Sequence, residues 1–413
     1  MTKRKVVLAY SGGLDTSAIV PWLVENYNAE VHCVVADVGQ GEDELMGVID
    51  KARNTGAQSC KVADLKQEFV DEYVFPTLIA GCQYEGTYLL GTAMARPVIS
   101  KAQVEYALEV GADAVCHGCT GKGNDQIRFE AGYAALAPHL EIIAPWRIWD
   151  MHSREDLLEY LRERDIKSTA SATKIFSRDC NLWHISHEGG PIEEPWNAPP
   201  ADVWMMSQNI EDTPNDSQVV HLTFEDGRPI ALDGTALDGV QLIEKLNVIA
   251  GRHGVGRVDI IEDRVVGIKS RGLYETPAGT VLVNAVRALE ELAFDRDTRR
   301  YREHMATTFG ELVYAGKWFT PLRQAISAAA ESMASRLSGE VAVRLFKGHA
   351  TVEQRRCYAA MYDPGLASFS DTPLYDQKHA GGFIRVWTLT QRVEALRLQR
   401  EAKEREAPAR IVP

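Results

Sequence analysis

The stretch Ala9-Tyr10-Ser11-Gly12-Gly13-Leu14-Asp15-Thr16-Ser17 limits what this chain can fold into more than any other. It follows the apolar run Val6-Val7-Leu8, which has strand length, and leads into a segment that reads as a helix carrying Asp15, Thr16 and Ser17 in its first turn. Adjacent glycines permit positive φ and let backbone N–H groups approach a ligand closely, and a helix start adds unpaired donors with a partial positive charge. Strand, glycine turn and helix in that order predict a cradle for a polyphosphate. The spacing is neither G-x-x-x-x-G-K-[ST] nor G-x-G-x-x-G, so the cradle brings no lysine of its own and is not a dinucleotide turn.

The segments that follow alternate in type. Thr16 to Tyr27 reads as a helix in which Pro21 is tolerable only near the first turn. Strands are expected at Glu30 to Ala36, Ser59 to Val62, Ala114 to Cys116 and Leu140 to Ala144, with a helix from Glu42 to Thr55. Such alternation implies a doubly wound parallel sheet, whose ligands sit beyond the strand ends, so the loops at Ser11, Asp37 and Gly118 should be neighbours. Ser153-Arg154-Glu155-Asp156 starts a further helix, with Leu157, Leu158 and Leu161 as its apolar stripe.

Beyond this helix the texture changes to glycine- and proline-rich crossings, strands at Val219 to Phe224 and Arg228 to Leu232, helices at Leu237 to Ala250 and Thr280 to Glu291, and short apolar runs at Val258 to Ile261 and Val265 to Ile268. That is an α+β pattern. Val386, Leu389, Val393 and Leu396 then form a short seam that wants a partner helix, ahead of the charged stretch Arg397 to Glu406. The expected division is 1–167, 168–370 and a helical tail at 371–413. A chain of 413 residues exceeds one ordinary core in any case.

Charge and cysteine usage exclude some functions. With 45 basic against 58 acidic residues the net charge is −13, which disfavours a broad nucleic-acid surface. Met1-Thr2-Lys3-Arg4-Lys5 is basic like the start of a signal peptide, but the apolar run behind it stops at Ser11-Gly12-Gly13, and no run has membrane-spanning length; a cytoplasmic protein without membrane contact is expected. The seven cysteines are an odd, scattered set, so reduced thiols are the default, and Cys116-His117-Gly118-Cys119 has no second pair to complete a zinc site. His184 and His187 stand three apart, but the pattern sets no carboxylate or thiolate beside them as further metal ligands.

A second constellation is His117-Gly118-Cys119-Thr120-Gly121-Lys122-Gly123-Asn124-Asp125-Gln126-Ile127-Arg128. Gly118 stands three residues before Gly121 and Gly123 follows Lys122, so this is no P-loop. It is a glycine-rich turn before a helix starting near Asp125, with side chains suited to an amino-acid head group.

The loop at Ser11 resembles the S-G-G-x-D-[ST]-[ST] loop of the N-type ATP pyrophosphatases, an adenine nucleotide alpha hydrolase-like fold. The resemblance sharpens to the argininosuccinate synthase family through Tyr88-Leu89-Leu90-Gly91-Thr92 with Ala95-Arg96-Pro97, the block His117 to Arg128, Phe176-Ser177-Arg178-Asp179-Cys180-Asn181-Leu182-Trp183, Gly254-Val255-Gly256-Arg257, Glu262-Asp263-Arg264, Gly267-Ile268-Lys269-Ser270-Arg271 and Tyr274-Glu275-Thr276-Pro277. These motifs follow the family's order through about the first two thirds of the chain.

The resemblance implies an enzyme that joins citrulline and aspartate with ATP, releasing AMP and pyrophosphate through a citrullyl-adenylate, with Mg2+ and as a homotetramer. It implies that ATP meets Ala9 to Ser17 (Ala9, Tyr10, Ser11, Gly12, Gly13, Leu14, Asp15, Thr16, Ser17), Ala36 and Gly118. Aspartate would meet Thr120, Asn124 and Asp125; citrulline would meet Tyr88, Asn124, Arg128, Ser177, Ser186, Glu262 and Tyr274. Asp125 can accept from an α-ammonium, and Arg128 can offer a fork to a carboxylate. Ala93 departs from members with serine at that position. Two other readings are a tRNA-modifying N-type pyrophosphatase, favoured by Cys116 and Cys119 and opposed by the acid excess, and a non-catalytic nucleotide-binding regulator.

Overall fold

A computed structural model describes residues 3–166, 176–370 and 374–406. Met1, Thr2 and the expected boundaries at Lys167 and Asp371 lie outside the described residues. The chain forms two compact units, Met1–Ala360 and Met361–Pro413.

The first unit begins with β1 (Arg4–Ala9), α1 (Leu14–Tyr27), β2 (Ala29–Asp37), α2 (Glu42–Leu45), α3 (Val48–Asn54), β3 (Ser59–Asp64), α4 (Gly91–Val110), β4 (Ala114–Cys116), α5 (Asp125–Leu136), β5 (Glu141–Ile143) and α6 (Arg154–Arg162). The five strands are parallel in the order β3-β2-β1-β4-β5. Val6, Val7 and Leu8 have no exposed surface, as a strand covered on both faces requires. Successive strands are added on one side of β1 and then on the other, so the sheet's switch point lies between β1 and β4. The turns after these two strands, at Ser11 and Gly118, therefore flank one crevice.

Three local expectations change. Helix α1 starts at Leu14, which places Pro21 in its interior; the lost hydrogen bond is offset by burial of Ala18, Ile19, Val20, Trp22 and Leu23 around it. The helix expected from Glu42 to Thr55 is two pieces, because Gly47 at φ +69° takes a left-handed conformation between them. Val265 to Ile268 is a turn, closed by Gly267 N–H to the Arg264 carbonyl at 2.8 Å, with Gly267 at φ +83°. Helix α6 starts as expected: Ser153 Oγ accepts from Asp156 N–H at 3.0 Å, Asp156 Oδ2 accepts from Ser153 N–H at 2.9 Å, and Leu157 and Leu161 are buried while Leu158 is only partly so.

The rest of this unit contains β6 (Ser177–Cys180), β7 (Ile185–Glu188), β8 (Gln218–Glu225), β9 (Arg228–Leu232), β10 (Thr235–Ala236), α7 (Gly239–Arg252), β11 (Arg257–Asp263), β12 (Lys269–Glu275), α8 (Pro277–Ala293), α9 (Arg296–Tyr314), α10 (Pro321–Ala334), β13 (Gly339–Phe346) and β14 (His349–Cys357). Two antiparallel sheets result, in the orders β11-β12-β7-β6 and β10-β9-β8-β13-β14. The largest core cluster joins Leu90 and Met94 at the start of α4 to Leu246 of α7, Leu282 of α8 and Phe309 of α9, so the α+β part packs directly on the parallel-sheet part.

The second unit carries α11 (Lys378–Trp387) and α12 (Leu389–Glu406). The seam expected to run along one helix is split, because Thr388 ends α11 with both its N–H and its hydroxyl on the Ile384 carbonyl, at 2.9 and 2.7 Å. Val386 falls on α11 and Leu389, Val393 and Leu396 on α12; all four are exposed.

Candidate active site

A cleft of about 1270 Å³ opens at the C-terminal ends of the parallel strands. Ala9, Tyr10, Ser11, Gly12, Gly13, Asp15, Thr16, Ala36 and Gly118 line it together with Tyr88, Thr120, Asn124, Asp125, Arg128, Ser177, Ser186, Glu262 and Tyr274. Leu14 and Ser17 do not line it; both side chains are buried, with Ser17 Oγ 3.2 Å from the Tyr10 hydroxyl.

The cradle is built as the glycines predict. Gly12 sits at φ +70°, and Gly13, which has no side chain to cap with, stands at the N-cap of α1. Ser11 Oγ accepts from Gly13 N–H at 3.3 Å and lies 3.2 Å from Thr16 Oγ1. A cation does reach the loop, from elsewhere in the chain: Lys51 of α3 lines the cleft and donates to the Gly12 carbonyl, and burial lowers its pKa from the ordinary lysine value. No spacing within the loop could have pointed to it.

The opposite wall is one face of the β11-β12-β7-β6 sheet. Side chains alternate along strands, and the register sets Ser177 opposite Glu188, Asp179 opposite Ser186, and Ser186 opposite Tyr274. Ser270, four residues before Tyr274, pairs with Glu262, so that carboxylate shares the face. Tyr274 donates to Glu262 Oε2 at 2.9 Å, and Tyr314, at the end of α9, donates to Oε1 at 2.8 Å. Tyr88 stacks on Tyr274 with ring centroids 4.2 Å apart.

Between cradle and sheet lies the N-terminus of α5. Asn124 is tied on both sides: its Oδ1 accepts from Val265 N–H at 2.9 Å and its Nδ2 donates to the Tyr314 hydroxyl at 2.8 Å. Asp125 Oδ2 accepts from Arg96 Nε at 3.0 Å and Nη2 at 2.8 Å, and Oδ1 from Arg128 Nη1 at 3.0 Å. Burial raises the Asp125 pKa, but the two guanidinium groups more than offset it and hold the carboxyl below the usual carboxylate value. Arg128 is less open than expected. Its Nε donates to the Tyr314 carbonyl at 2.9 Å and Nη1 to Asp125, which leaves Nη2 alone without a partner among the described residues.

Sequence reasoning gave no role to Arg96, Asp179, Thr92, Glu188 or Arg264, although each falls in or beside a quoted motif and all line the cleft. Arg96 spans Asp125 and Asp179, meeting Asp179 Oδ1 at 2.9 Å, and Thr92 donates to Asp179 Oδ2 at 2.8 Å. Ala93 is fully buried and does not line the cleft. His184 Nε2 lies 3.0 Å from Thr92 Oγ1, and His187 Nε2 lies 2.8 Å from Glu275 Oε1. Cys116 and Cys119 have thiols that burial pushes well above the ordinary cysteine value, which is unfavourable for a thiolate nucleophile.

A glycine turn at a helix start on one side of the crevice, with carboxylates, guanidinium groups and tyrosines on the other, offers the groups an ATP-dependent ligase uses. Residues 5–167 match the family model "Arginosuccinate synthase N-terminal HUP domain", and residues 176–394 match "Arginosuccinate synthase C-terminal domain". Argininosuccinate synthase of Pseudoalteromonas atlantica is 58% identical over 393 residues, covering 95% of each chain. That of Shewanella putrefaciens is 57% identical over 394 residues, covering 95% of this chain and 97% of its own. Among solved structures, a U34-tRNA thiolase from Methanococcus maripaludis covers 43% of this chain and 60% of its own at 15% identity, with a TM-score of 0.28 that carries no weight here. The chain belongs to the argininosuccinate synthase family, ligases that join citrulline to aspartate in arginine biosynthesis.

Proposed function

We propose that the cleft performs this ligation through a citrullyl-adenylate, and that the residues expected from the sequence divide it among three substrates. A ureido carbon is a poor electrophile and its oxygen a poor leaving group; adenylation corrects both. The ureido oxygen attacks the α-phosphorus of ATP, pyrophosphate departs from the cradle, and the aspartate amine then displaces AMP from the activated carbon.

The observation that carries this reading is the convergence, in one cleft, of the Ser11 turn, the Thr120-to-Asp125 turn and the sheet face holding Ser177, Ser186, Glu262 and Tyr274. ATP is assigned to Ala9, Tyr10, Ser11, Gly12, Gly13, Asp15, Thr16, Ala36 and Gly118, aspartate to Thr120, Asn124 and Asp125, and citrulline to Tyr88, Asn124, Arg128, Ser177, Ser186, Glu262 and Tyr274. Leu14 and Ser17 serve by holding the turn from beneath. Positioning of this kind can supply about 7–11 kcal/mol of a barrier in favourable cases. Mg2+ suits a site where phosphates provide most of the oxygens, with Asp15 as the carboxylate beside the cradle, and would neutralise charge on the polyphosphate. The division at 167 and 370 and a cytoplasmic location, both read from the sequence, and a homotetrameric working form, which rests on the family resemblance, belong to the same proposal.

The test is product analysis with ATP, citrulline and aspartate, each omitted in turn. Pyrophosphate and AMP should form with all three present, and removal of citrulline should abolish both. Pyrophosphate release independent of citrulline would refute the assignment.

A further inference from the structure

The aspartate amine enters as an ammonium and must lose a proton before it can attack, and the roles assigned above name no acceptor. On the sheet side of the cleft the carboxylates differ in what already occupies them. Asp125 accepts three N–H bonds from Arg96 and Arg128, Asp179 is held by Arg96 and Thr92, and each oxygen of Glu262 takes a tyrosine hydroxyl. Glu188 is held by one group alone among the described residues: Arg264 Nη2 donates to its Oε2 at 2.8 Å.

Glu188 also occupies the right place. It ends β7, opposite Ser177 and on the face of Ser186, so it belongs to the citrulline wall. Its partner Arg264 reaches the Lys122 carbonyl at 3.4 Å with Nη1, which ties it to the turn carrying Thr120 and Asn124. We propose that Glu188 is the general base that takes a proton from the aspartate ammonium, with Arg264 positioning its carboxylate at the junction of the citrulline wall and the aspartate turn. This rests on the substrate assignment above.

The ammonium gives one proton to a Glu188 carboxylate oxygen. The freed nitrogen lone pair forms the bond to the activated carbon, the carbon–oxygen bond to AMP breaks with its electron pair on the phosphate oxygen, and the nitrogen's second proton passes to that phosphate. The charges facing Glu188 fit the task. Burial raises its pKa above the ordinary glutamate value, Arg264 opposes that rise, and Glu262, Asp125 and Asp179 reinforce it.

The experiment uses the full chain and two assays: argininosuccinate formation, and citrulline-dependent exchange of labelled pyrophosphate into ATP without aspartate. Glu188→Gln should lower kcat for formation by about 100-fold or more, keep the aspartate KM within about threefold, and retain most of the exchange. It should also lose the acid limb of the kcat–pH profile, while Glu188→Asp retains that limb. Arg264→Met should move the acid limb to higher pH, since losing the cation raises the Glu188 pKa; this holds the proposal to account even if Glu188→Gln does not fold. The proposal is overturned if Glu188→Gln loses exchange in step with formation, if its formation rate is unaltered, or if the limb stays in place in the Arg264 variant. Absence of exchange in the unsubstituted enzyme would instead sink the adenylate reading itself.

Discussion

Asn124 and Tyr314 are 190 positions apart in the chain, and the Asn124 amide donates to the Tyr314 hydroxyl at 2.8 Å. That hydroxyl in turn donates to Glu262, while the carbonyl of the same tyrosine accepts from Arg128 Nε. One residue at the end of α9 thus holds three residues assigned to substrates. Tyr314→Phe should keep the Arg128 contact and leave Asn124 Nδ2 and Glu262 Oε1 without their partner. The expected cost is about 1–3 kcal/mol of stability for each unsatisfied group, read by chemical denaturation, with a raised citrulline KM. An unchanged citrulline KM would show that this network does not order the citrulline wall.

Asp125 binds two guanidinium groups in addition to its assigned work on aspartate. Asp125→Ala should raise the aspartate KM by about tenfold or more and change the ATP KM far less. It should also destabilise the protein by about 1–3 kcal/mol, because Arg128 loses its carboxylate partner and Arg96 keeps only Asp179. Asp125→Asn, which keeps one acceptor oxygen, should fall between. Steady-state kinetics with each substrate varied, alongside urea unfolding, separates the two effects.

The Thr92 hydroxyl spends its single proton on Asp179, so the His184 nitrogen 3.0 Å away must be the donor in their bond. His184 is therefore the Nε2–H tautomer, with a buried Nδ1 that has no hydrogen-bond partner among the described residues. Burial lowers its pKa from 6.5 to about 4. Below the ordinary value the unfolded chain takes up a proton that the folded chain refuses, so this part of the stability is complete above pH 6.5 and falls as the pH drops toward about 4. Nitrogen-15 NMR should show the Nε2–H form down to about pH 4. A midpoint near the ordinary histidine value would contradict the burial argument.

Gly316 approaches the backbone of Arg128 so closely that an added Cβ would lie 2.7 Å from its Cα, and its φ of +73° disfavours any other residue. Gly316→Ala should cost about 2–4 kcal/mol in strain and displacement and should raise the citrulline KM by moving Arg128. The ATP KM serves as the control. Equal effects on both substrates would point to general loosening of the fold.

Much of the Ser11 side of the cleft was legible because its determinants are local. Val6 to Leu8, Gly12-Gly13 and the start of α1 are adjacent in sequence, and the glycine conformation, the strand burial and the helix start follow from near-neighbour sterics and hydrogen bonding. The parallel order and the meeting of the Ser11 and Gly118 turns follow from strand–helix alternation. Local rules also misled: Pro21 lies inside a helix whose burial overrides the proline cost, and Gly47 and Thr388 break helices that apolar spacing alone joined.

By itself, then, the order of residues determined the cradle, the sheet that presents it and the types of side chain available for chemistry. Tertiary structure alone decided which of those side chains are already engaged: that Arg96 bridges Asp125 and Asp179, that Lys51 comes to the Ser11 turn from α3, and that among the described residues Glu188 keeps one partner while Glu262 takes two. The physical reason is that charge pairing and burial depend on distances between segments far apart in the chain, and those distances exist only once the cores have packed.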